Sequence, residues 1–280
     1  MNIVSGFGPT AGAALVEHPL VNKIAFTGST EVGKLIHRNA SDTLKRVSLE
    51  LGGKSPLVVT ENFDLATAAA IAHSACFFHQ GQVCVAASRT YVHESIYDEF
   101  LKEAVTVARE KILGDPLDLR NTQGPQIDEE QLNKIIELID SGKKEGARVV
   151  TGGKRADQKG YFVEPTVFAD VTENMRIARE EIFGPVQQIL KYSTLDEVIE
   201  RCNDTNYGLS AGILTNDINQ SMKFIANVQA GTVWVNTYLE SQVGAPFGGF
   251  KQSGLGRECG EEVFNEYLEI KTVTIKLNLI

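Results

Sequence analysis

Residues 46–60 read Arg-Val-Ser-Leu-Glu-Leu-Gly-Gly-Lys-Ser-Pro-Leu-Val-Val-Thr. Arg46 to Leu51 alternates polar and apolar residues, the signature of a strand with one covered face. Pro56 to Thr60 is a short apolar run, the signature of a strand covered on both faces. Gly52 and Gly53 lie between them and let the backbone turn sharply. The pattern places a carboxylate, Glu50, at the end of one strand and beside a turn.

The same alternation of element types continues in both directions. Lys23 to Thr27 reads as a short strand and Glu31 to Arg38 as the helix after it. Downstream, Asp64 occupies an N-cap position ahead of an alanine-rich helix running to about Phe78. Arg89 to His93 reads as a strand. Ile96 to Ile112 reads as an amphipathic helix with Phe100, Ala104 and Val107 on one face, stopped by Gly114, Asp115 and Pro116. Beyond it, Glu129 to Gly142, Leu195 to Cys202 and Ile218 to Val228 have helical period. Tyr161 to Phe168, Leu209 to Leu214 and Thr232 to Asn236 read as extended. Strands alternating with helices predict an α/β fold with a largely parallel sheet. The last residues, Leu268 to Ile280, alternate tightly through Ile270, Thr272, Thr274 and Lys276, which predicts a terminal strand able to pair with another sheet. The opening MNIVSGFGPTAG reads as the end of a strand, so the chain is expected to begin inside a larger pattern.

Composition narrows the function classes. In 280 residues, 42% are hydrophobic and 22% charged, which fits a packed protein rather than a disordered one. A net charge of −9 and a pI near 5.2 argue against nucleic acid and against an anionic membrane surface, both of which select clustered Lys and Arg. Apolar runs are too short to span a bilayer; the longest candidate, Leu65 to Phe78, carries His73 and reads as a buried helix. Four cysteines, Cys76, Cys84, Cys202 and Cys259, have no CxxC spacing and do not suggest a disulfide framework. A reducing compartment fits them. The five histidines show no metal-ligand spacing.

Cys84 lies in Phe77-Phe78-His79-Gln80-Gly81-Gln82-Val83-Cys84. A thiol just past a helix end and a glycine can point into a cleft, and its thiolate is a strong nucleophile where amide dipoles favour it. A buried structural cysteine is the alternative and the commoner fate. Glu50 could act as a base if burial raises its pKa toward working pH, or it could simply face solvent. Lys54 reads equally as a surface charge. Gly28-Ser29-Thr30-Glu31-Val32-Gly33 follows a strand and opens a helix, a context that suits phosphate but is common to many turns. Glu180-Glu181-Ile182-Phe183-Gly184-Pro185 could hold a ribose and a flat ring, or be a capped loop with a core Phe. Pro246 to Gly254, Gly-rich with Phe247 and Phe250, could line an apolar tunnel or pack in the core.

Taken together and in order, these segments resemble the aldehyde dehydrogenase superfamily. The resemblance is carried by GFGPTAG at Gly6, FTGSTEVG at Phe26, LELGGKSP at Leu49, GQVC at Gly81, GPQID at Gly124, GYFVEPTVF at Gly160, EEIFGPV at Glu180, AGTVWVN at Ala230 and PFGGFKQSG at Pro246. The wording is most similar to members that oxidise acetaldehyde-like or retinal-like aldehydes. The resemblance implies an α/β fold with a partial cofactor-binding domain (1–52), a Rossmann-like catalytic domain (53–262) and an oligomerisation arm (263–280). It implies oxidation of an aldehyde to a carboxylic acid with NAD, with Cys84 as the nucleophile and Glu50 as the base that activates water. The backbone N–H of Cys84 would supply half of an oxyanion hole. Gly28, Ser29, Leu51, Gln131, Glu181 and Phe183 match cofactor-binding positions, and Phe247 matches a substrate-tunnel aromatic. A small aldehyde and a second copy of the chain are the implied partners, with a cytoplasmic location or, as the alternative, a mitochondrial one.

Family members are usually longer, and their N-terminal portion holds further cofactor-domain strands and an asparagine that completes the oxyanion hole. The chain is therefore expected to be a truncated product, an incomplete gene reading or a fragment. Two other activities follow from that expectation: a non-catalytic fragment that associates with full-length subunits, and NAD-independent ester hydrolysis through Cys84. Leu239-Glu240-Ser241-Gln242 differs from common relatives at the expected substrate mouth.

Overall fold

A computed structural model describes residues 1–277. In chain order, a helical turn at Gly8–Gly12 runs into α1 (Ala13–Glu17), followed by β1 (Lys23–Thr27), α2 (Thr30–Asn39), β2 (Arg46–Glu50), β3 (Pro56–Val59), α3 (Leu65–Phe77), β4 (Arg89–His93), α4 (Tyr97–Arg109), α5 (Glu129–Lys144), β5 (Arg148–Thr151), β6 (Thr166–Ala169), α6 (Arg176–Arg179), β7 (Val186–Tyr192), α7 (Leu195–Asn203), β8 (Ser210–Leu214), α8 (Ile218–Asn227), β9 (Thr232–Val235), β10 (Gly254–Leu255) and α9 (Val263–Tyr267).

The strands are largely parallel, as the alternating pattern predicts, but they form two sheets rather than one. The smaller has the order β1-β2-β10. β1 and β2 are parallel with Thr27 beside Glu50, and β10 runs antiparallel to β2 with Gly254 beside Glu50. The larger has the order β5-β6-β7-β4-β3-β8-β9 and is parallel throughout except at the β5–β6 edge.

The apolar run in β3 has its physical explanation in two cores. Leu57 and Val59 point into one and Val58 into the other, so helices cover both faces. On one face Ala68, Ala72 and Ala75 of α3 and Phe100 and Ala104 of α4 pack down. On the other, Leu132, Ile135, Leu138 and Ile139 of α5 pack against Phe168, Leu190, Ile213 and Phe224. The small alanine side chains of α3 let it lie close to the sheet. Asp64 caps α3 as anticipated, accepting from Thr67 N–H at 2.9 Å.

Several expectations need correction. The opening residues do not form a strand; Gly8 to Glu17 is helical, because Pro9 and the alanines favour helix once Phe7 caps it. The alternation in Leu268 to Leu277 does not produce a strand in either sheet: these residues are exposed, and the 263–280 arm opens with the helix α9. Among the described residues of this chain no strand lies beside them, and a ladder needs such a neighbour; the expected pairing is with another sheet, such as one in a partner subunit. The last three residues of that arm lie outside the described residues. β5 and β7 were not anticipated. β7 contains Gln187 and Gln188, polar residues that conceal a buried strand; Gln187 Nε2 donates to Thr90 Oγ1 and Gln188 Oε1 accepts from Lys54. The helix expected at 96–112 stops at Arg109, and Lys111 to Leu113 turns back to bridge Gln123. Among the described residues no helix is long and apolar enough to cross a membrane.

Candidate active site

The C-terminal ends of β1 and β2 and the turns after them share a cleft of about 500 Å³ with the loops that precede β4 and β7 and with the first turns of α5. Its walls bring together Gly28, Ser29, Glu50, Leu51, Cys84, Gln131, Glu181 and Phe183, eight residues drawn from five separate parts of the sequence. Phe247 is not on this wall. It is half-buried against the same apolar cluster as Val83 and Cys84, and its backbone exchanges two hydrogen bonds of 2.7 Å with Glu258.

Cys84 is presented by a strained turn. His79, Gln80 and Gly81 have φ values of 51°, 57° and 70°, an arrangement that costs energy for the two non-glycine residues and is held only by close packing. A Cβ at Gly81 would overlap the Gly184 carbonyl, so the GQVC turn is locked onto the Gly184-Pro185 turn of the EEIFGPV segment. Gln82 Oε1 accepts from Ile127 N–H at 3.0 Å, which ties the turn to the loop before α5. Beneath Cys84 lies Gly53, where a Cβ would overlap the Cys84 carbonyl oxygen. The sulfur is half-buried. Burial raises its pKa, and the charges of Glu181 and Glu50 raise it further, while the backbone N–H groups of Val85 and Cys84 pull the other way.

Glu50 is not a solvent-facing strand residue. It is 5% exposed, and neither carboxylate oxygen has a hydrogen-bond partner. Burial first, and then the Glu258 charge, pushes its pKa up to about 8, with Arg257 opposing. The glycines at Gly248 and Gly254 admit it: a Cβ at Gly248 would lie 2.8 Å from Glu50 Oε1.

The other wall is built by close approach of backbone. Ser29 caps α2, its Oγ accepting from Val32 N–H at 3.3 Å, and the N-terminus of α2 opens onto the cleft. A Cβ at Gly33 would sit 2.5 Å from the Leu51 side chain, so α2 rests directly on Leu51. Glu181 Oε1 accepts from Gly53 N–H at 3.0 Å, and the absence of a side chain at Gly52 leaves room for its carboxylate. Burial raises the Glu181 pKa, opposed by that N–H and by Lys134 and Lys54. Its sequence neighbour Glu180 turns outward to Arg176. Phe183 adopts a φ of 54°, and Gln131 Nε2 holds that strained backbone by donating to the carbonyls of Ile182 and Phe183 at 3.0 and 2.9 Å.

Three charged contributors were missed in the sequence. Lys134 lines the cleft one helical turn after Gln131. Glu258 and Arg257 lie beside Glu50, remote in sequence and brought there by β10. Lys54, read as a possible surface charge, is 1% exposed; its Nζ donates to Gln188 Oε1 at 2.9 Å, and burial beside Arg89 lowers its pKa to about 7. The one available signal was its place between two glycines and a buried strand. Among the described residues no cluster of three or more His, Cys, Asp or Glu is placed to hold a metal ion.

Comparison with known proteins bears on the family and the fold. The pattern of the aldehyde dehydrogenase family matches residues 1–273. Aldehyde dehydrogenase 1A1 of Bos taurus is 60% identical over 99% of this chain and 56% of its own length. Retinaldehyde dehydrogenase 3 of Mus musculus is 56% identical over 99% of this chain and 54% of its own. The NAD+ complex of aldehyde dehydrogenase from Bacillus cereus superposes with a TM-score of 0.96 at 45% identity, covering 98% of this chain and 56% of that one. The chain spans about half the length of the curated relatives it matches. The family pattern over residues 1–273, the similar relatives and the shared fold show that the chain belongs to the aldehyde dehydrogenase family.

Proposed function

We propose that this chain carries the catalytic half of an NAD-dependent aldehyde oxidation, with Cys84 as nucleophile and Glu50 as base. The observation that carries the reading is the joint lining of one cleft by a half-buried thiol and a buried, unpartnered carboxylate whose pKa is raised to about 8. A general base works best with a pKa near the operating pH.

The cleft fits a dinucleotide. Its α2 N-terminus, with Ser29 at the cap, suits a phosphate group. Leu51 and Phe183 offer apolar faces, Glu181 a carboxylate for ribose hydroxyls, and Gln131 fixes the Phe183 backbone. NAD+ bound there would supply a hydride acceptor and a cationic ring that counters the two carboxylates raising the thiol pKa. The Cys84 thiolate adds to the aldehyde carbon and forms a thiohemiacetal, with the Cys84 N–H donating to the developing oxyanion. Loss of hydride leaves a thioester on Cys84. Glu50 then takes a proton from water, whose oxygen attacks the thioester, releasing the carboxylic acid and the thiolate. The names of the relatives point to an aldehyde as substrate, and one of them to retinaldehyde.

The proposed division of labour assigns residues 1–52 to the cofactor side and 53–262 to the nucleophile, with 263–280 joining a second copy. Exposed Ile270, Val273, Ile275 and Leu277 support that last assignment. The test is NADH formation by the purified chain with a short aliphatic aldehyde, alongside Cys84→Ala. Turnover that depends on Cys84 supports the proposal; turnover retained in Cys84→Ala sinks it.

A further inference from the structure

Tyr238 lies outside the cleft wall, yet its hydroxyl touches the nucleophile's loop. The ring is buried against Trp234, with centroids 4.5 Å apart, and lies over Gly212, where a Cβ would come within 2.8 Å of it. The hydroxyl is 3.0 Å from the carbonyl oxygen of Val85, the residue after the nucleophile. That oxygen can only accept, so Tyr238 is the donor. Ser210 Oγ lies 3.2 Å from the tyrosine oxygen and 2.9 Å from Ser55 Oγ, and its own approach to Val85 is longer, 3.4 Å. Burial pushes the phenol pKa well up, so the proton stays available at every working pH.

The Val85 carbonyl shares its peptide group with the N–H of Ala86, which donates to the Val83 carbonyl at 3.0 Å. The Val83 carbonyl shares its peptide with the N–H of Cys84. That last N–H donates to no backbone carbonyl among the described residues, and it favours the thiolate of its own residue. We propose that Tyr238 is a positioning residue for Cys84: its hydroxyl heads a hydrogen-bonded chain through two peptide groups that ends at the Cys84 N–H and both orients and polarises that donor. Each link withdraws electron density from the next, so the terminal N–H is a stronger donor to sulfur or oxyanion than an isolated peptide. Ser210 and Ser55 hold the tyrosine oxygen in place. This inference deepens the proposed role of Cys84 and rests on it.

Alkylation by iodoacetamide tests the chain of bonds without aldehyde or cofactor, so its outcome is separate from that of the NADH assay. The rate at Cys84, followed by mass of the Cys84 peptide across pH, reports the thiolate. Glu50 and Glu181, whose charges act on the sulfur, and Lys134, which lines the same cleft, are left unsubstituted in every variant. Tyr238→Phe keeps the ring and removes the donor; it is expected to shift the alkylation profile to higher pH and slow the rate below the midpoint by about threefold. Ser210→Ala, which leaves the 3.0 Å bond, should shift it less. Tyr192→Phe is the structural control, because that hydroxyl donates to Val59 in β3 instead. A Tyr238→Phe profile that overlays wild type, or a shift equalled by Tyr192→Phe, overturns the proposal.

Discussion

Gly53 sits directly under Cys84: a side chain at Gly53 would overlap the Cys84 carbonyl oxygen. The two residues are 31 positions apart, and their contact is what joins the turn after β2 to the loop before β4. Because the obstacle is backbone rather than a flexible side chain, it cannot swing aside. Gly53→Ala should therefore displace the nucleophile loop and destabilise the fold by about 2 kcal/mol. Chemical denaturation measures the loss, and Cys84 alkylation should show greater accessibility in the variant.

Gly81 gives a second, independent lock on the same loop. It needs a φ of 70° and direct contact with the Gly184 carbonyl. Gly81→Ala combines backbone strain with overlap and should cost about 2 kcal/mol or more. Thermal unfolding of that variant beside Gly146→Ala separates the two causes. Gly146 has a φ of 96° but nothing near a Cβ, so it carries strain alone and should cost less.

Glu50 and Lys54 make opposite contributions to stability as pH changes. Glu50 ionises near 4.5 in the unfolded chain and near 8 in the fold. Between those values the folded state holds the extra proton, so native stability falls as pH rises and levels off above about 8. Glu50→Gln removes that slope. Its stability relative to wild type should improve by on the order of 3 kcal/mol between pH 4.5 and 8. For Lys54 the folded pKa is near 7 and the unfolded one 10.5, so unfolding takes up a proton in that window. Native stability then rises with pH from 7 to 10.5, and the advantage of Lys54→Met seen at pH 6 should shrink over that range. Urea melts at several pH values measure both slopes.

Gln131 supports the cleft wall at Phe183, which is proposed to hold the cofactor. Its amide holds two carbonyls beside a backbone φ of 54° at Phe183. Gln131→Ala leaves both carbonyls without that donor and frees the Phe183 turn. NAD+ affinity is expected to fall about tenfold, the effect of losing roughly 1.4 kcal/mol. Isothermal titration with NAD+ checks it; unchanged affinity would assign Gln131 to the fold alone.

Much of this was legible in the sequence, for reasons that differ between elements. β1, β3 and α3 announce themselves because their period and their caps agree: Lys23 to Thr27 is the strand it reads as, and Asp64 caps the helix it precedes. The meeting of Glu50, Cys84 and Glu181 in one cleft was implied by family resemblance and not by spacing, since each comes from a different turn. β7 was hidden because Gln187 and Gln188 satisfy their amides across the sheet, and buried hydrogen bonds leave no trace in hydropathy. The burial of Lys54 depends on Gln188 and Arg89, residues with no local relation to it. The C-terminal alternation predicted a strand, but a strand is a relation between two segments, and among the described residues of this chain none pairs with Leu268 to Leu277.

The pH dependence of thioester hydrolysis follows from the same carboxyl group. On the roles proposed for Cys84 and Glu50, deacylation of a thioester on Cys84 should follow the ionisation of Glu50, with a rate that rises through about pH 8 and reaches a plateau above it. Stopped-flow measurement of deacylation from pH 6 to 10 gives the midpoint. In Glu50→Gln the rate should fall by on the order of 100-fold and lose the midpoint near 8.

The account's central claim is that Cys84 forms the covalent intermediate and Glu50 releases it. Mixing the chain with p-nitrophenyl acetate and following p-nitrophenol tests both roles without a cofactor. Wild type should turn over, whereas Glu50→Gln should release a single equivalent and stop, with the acetyl group found by mass on the Cys84 peptide. An acetyl group on another residue, or Glu50→Gln turning over at the wild-type rate, would contradict the claim.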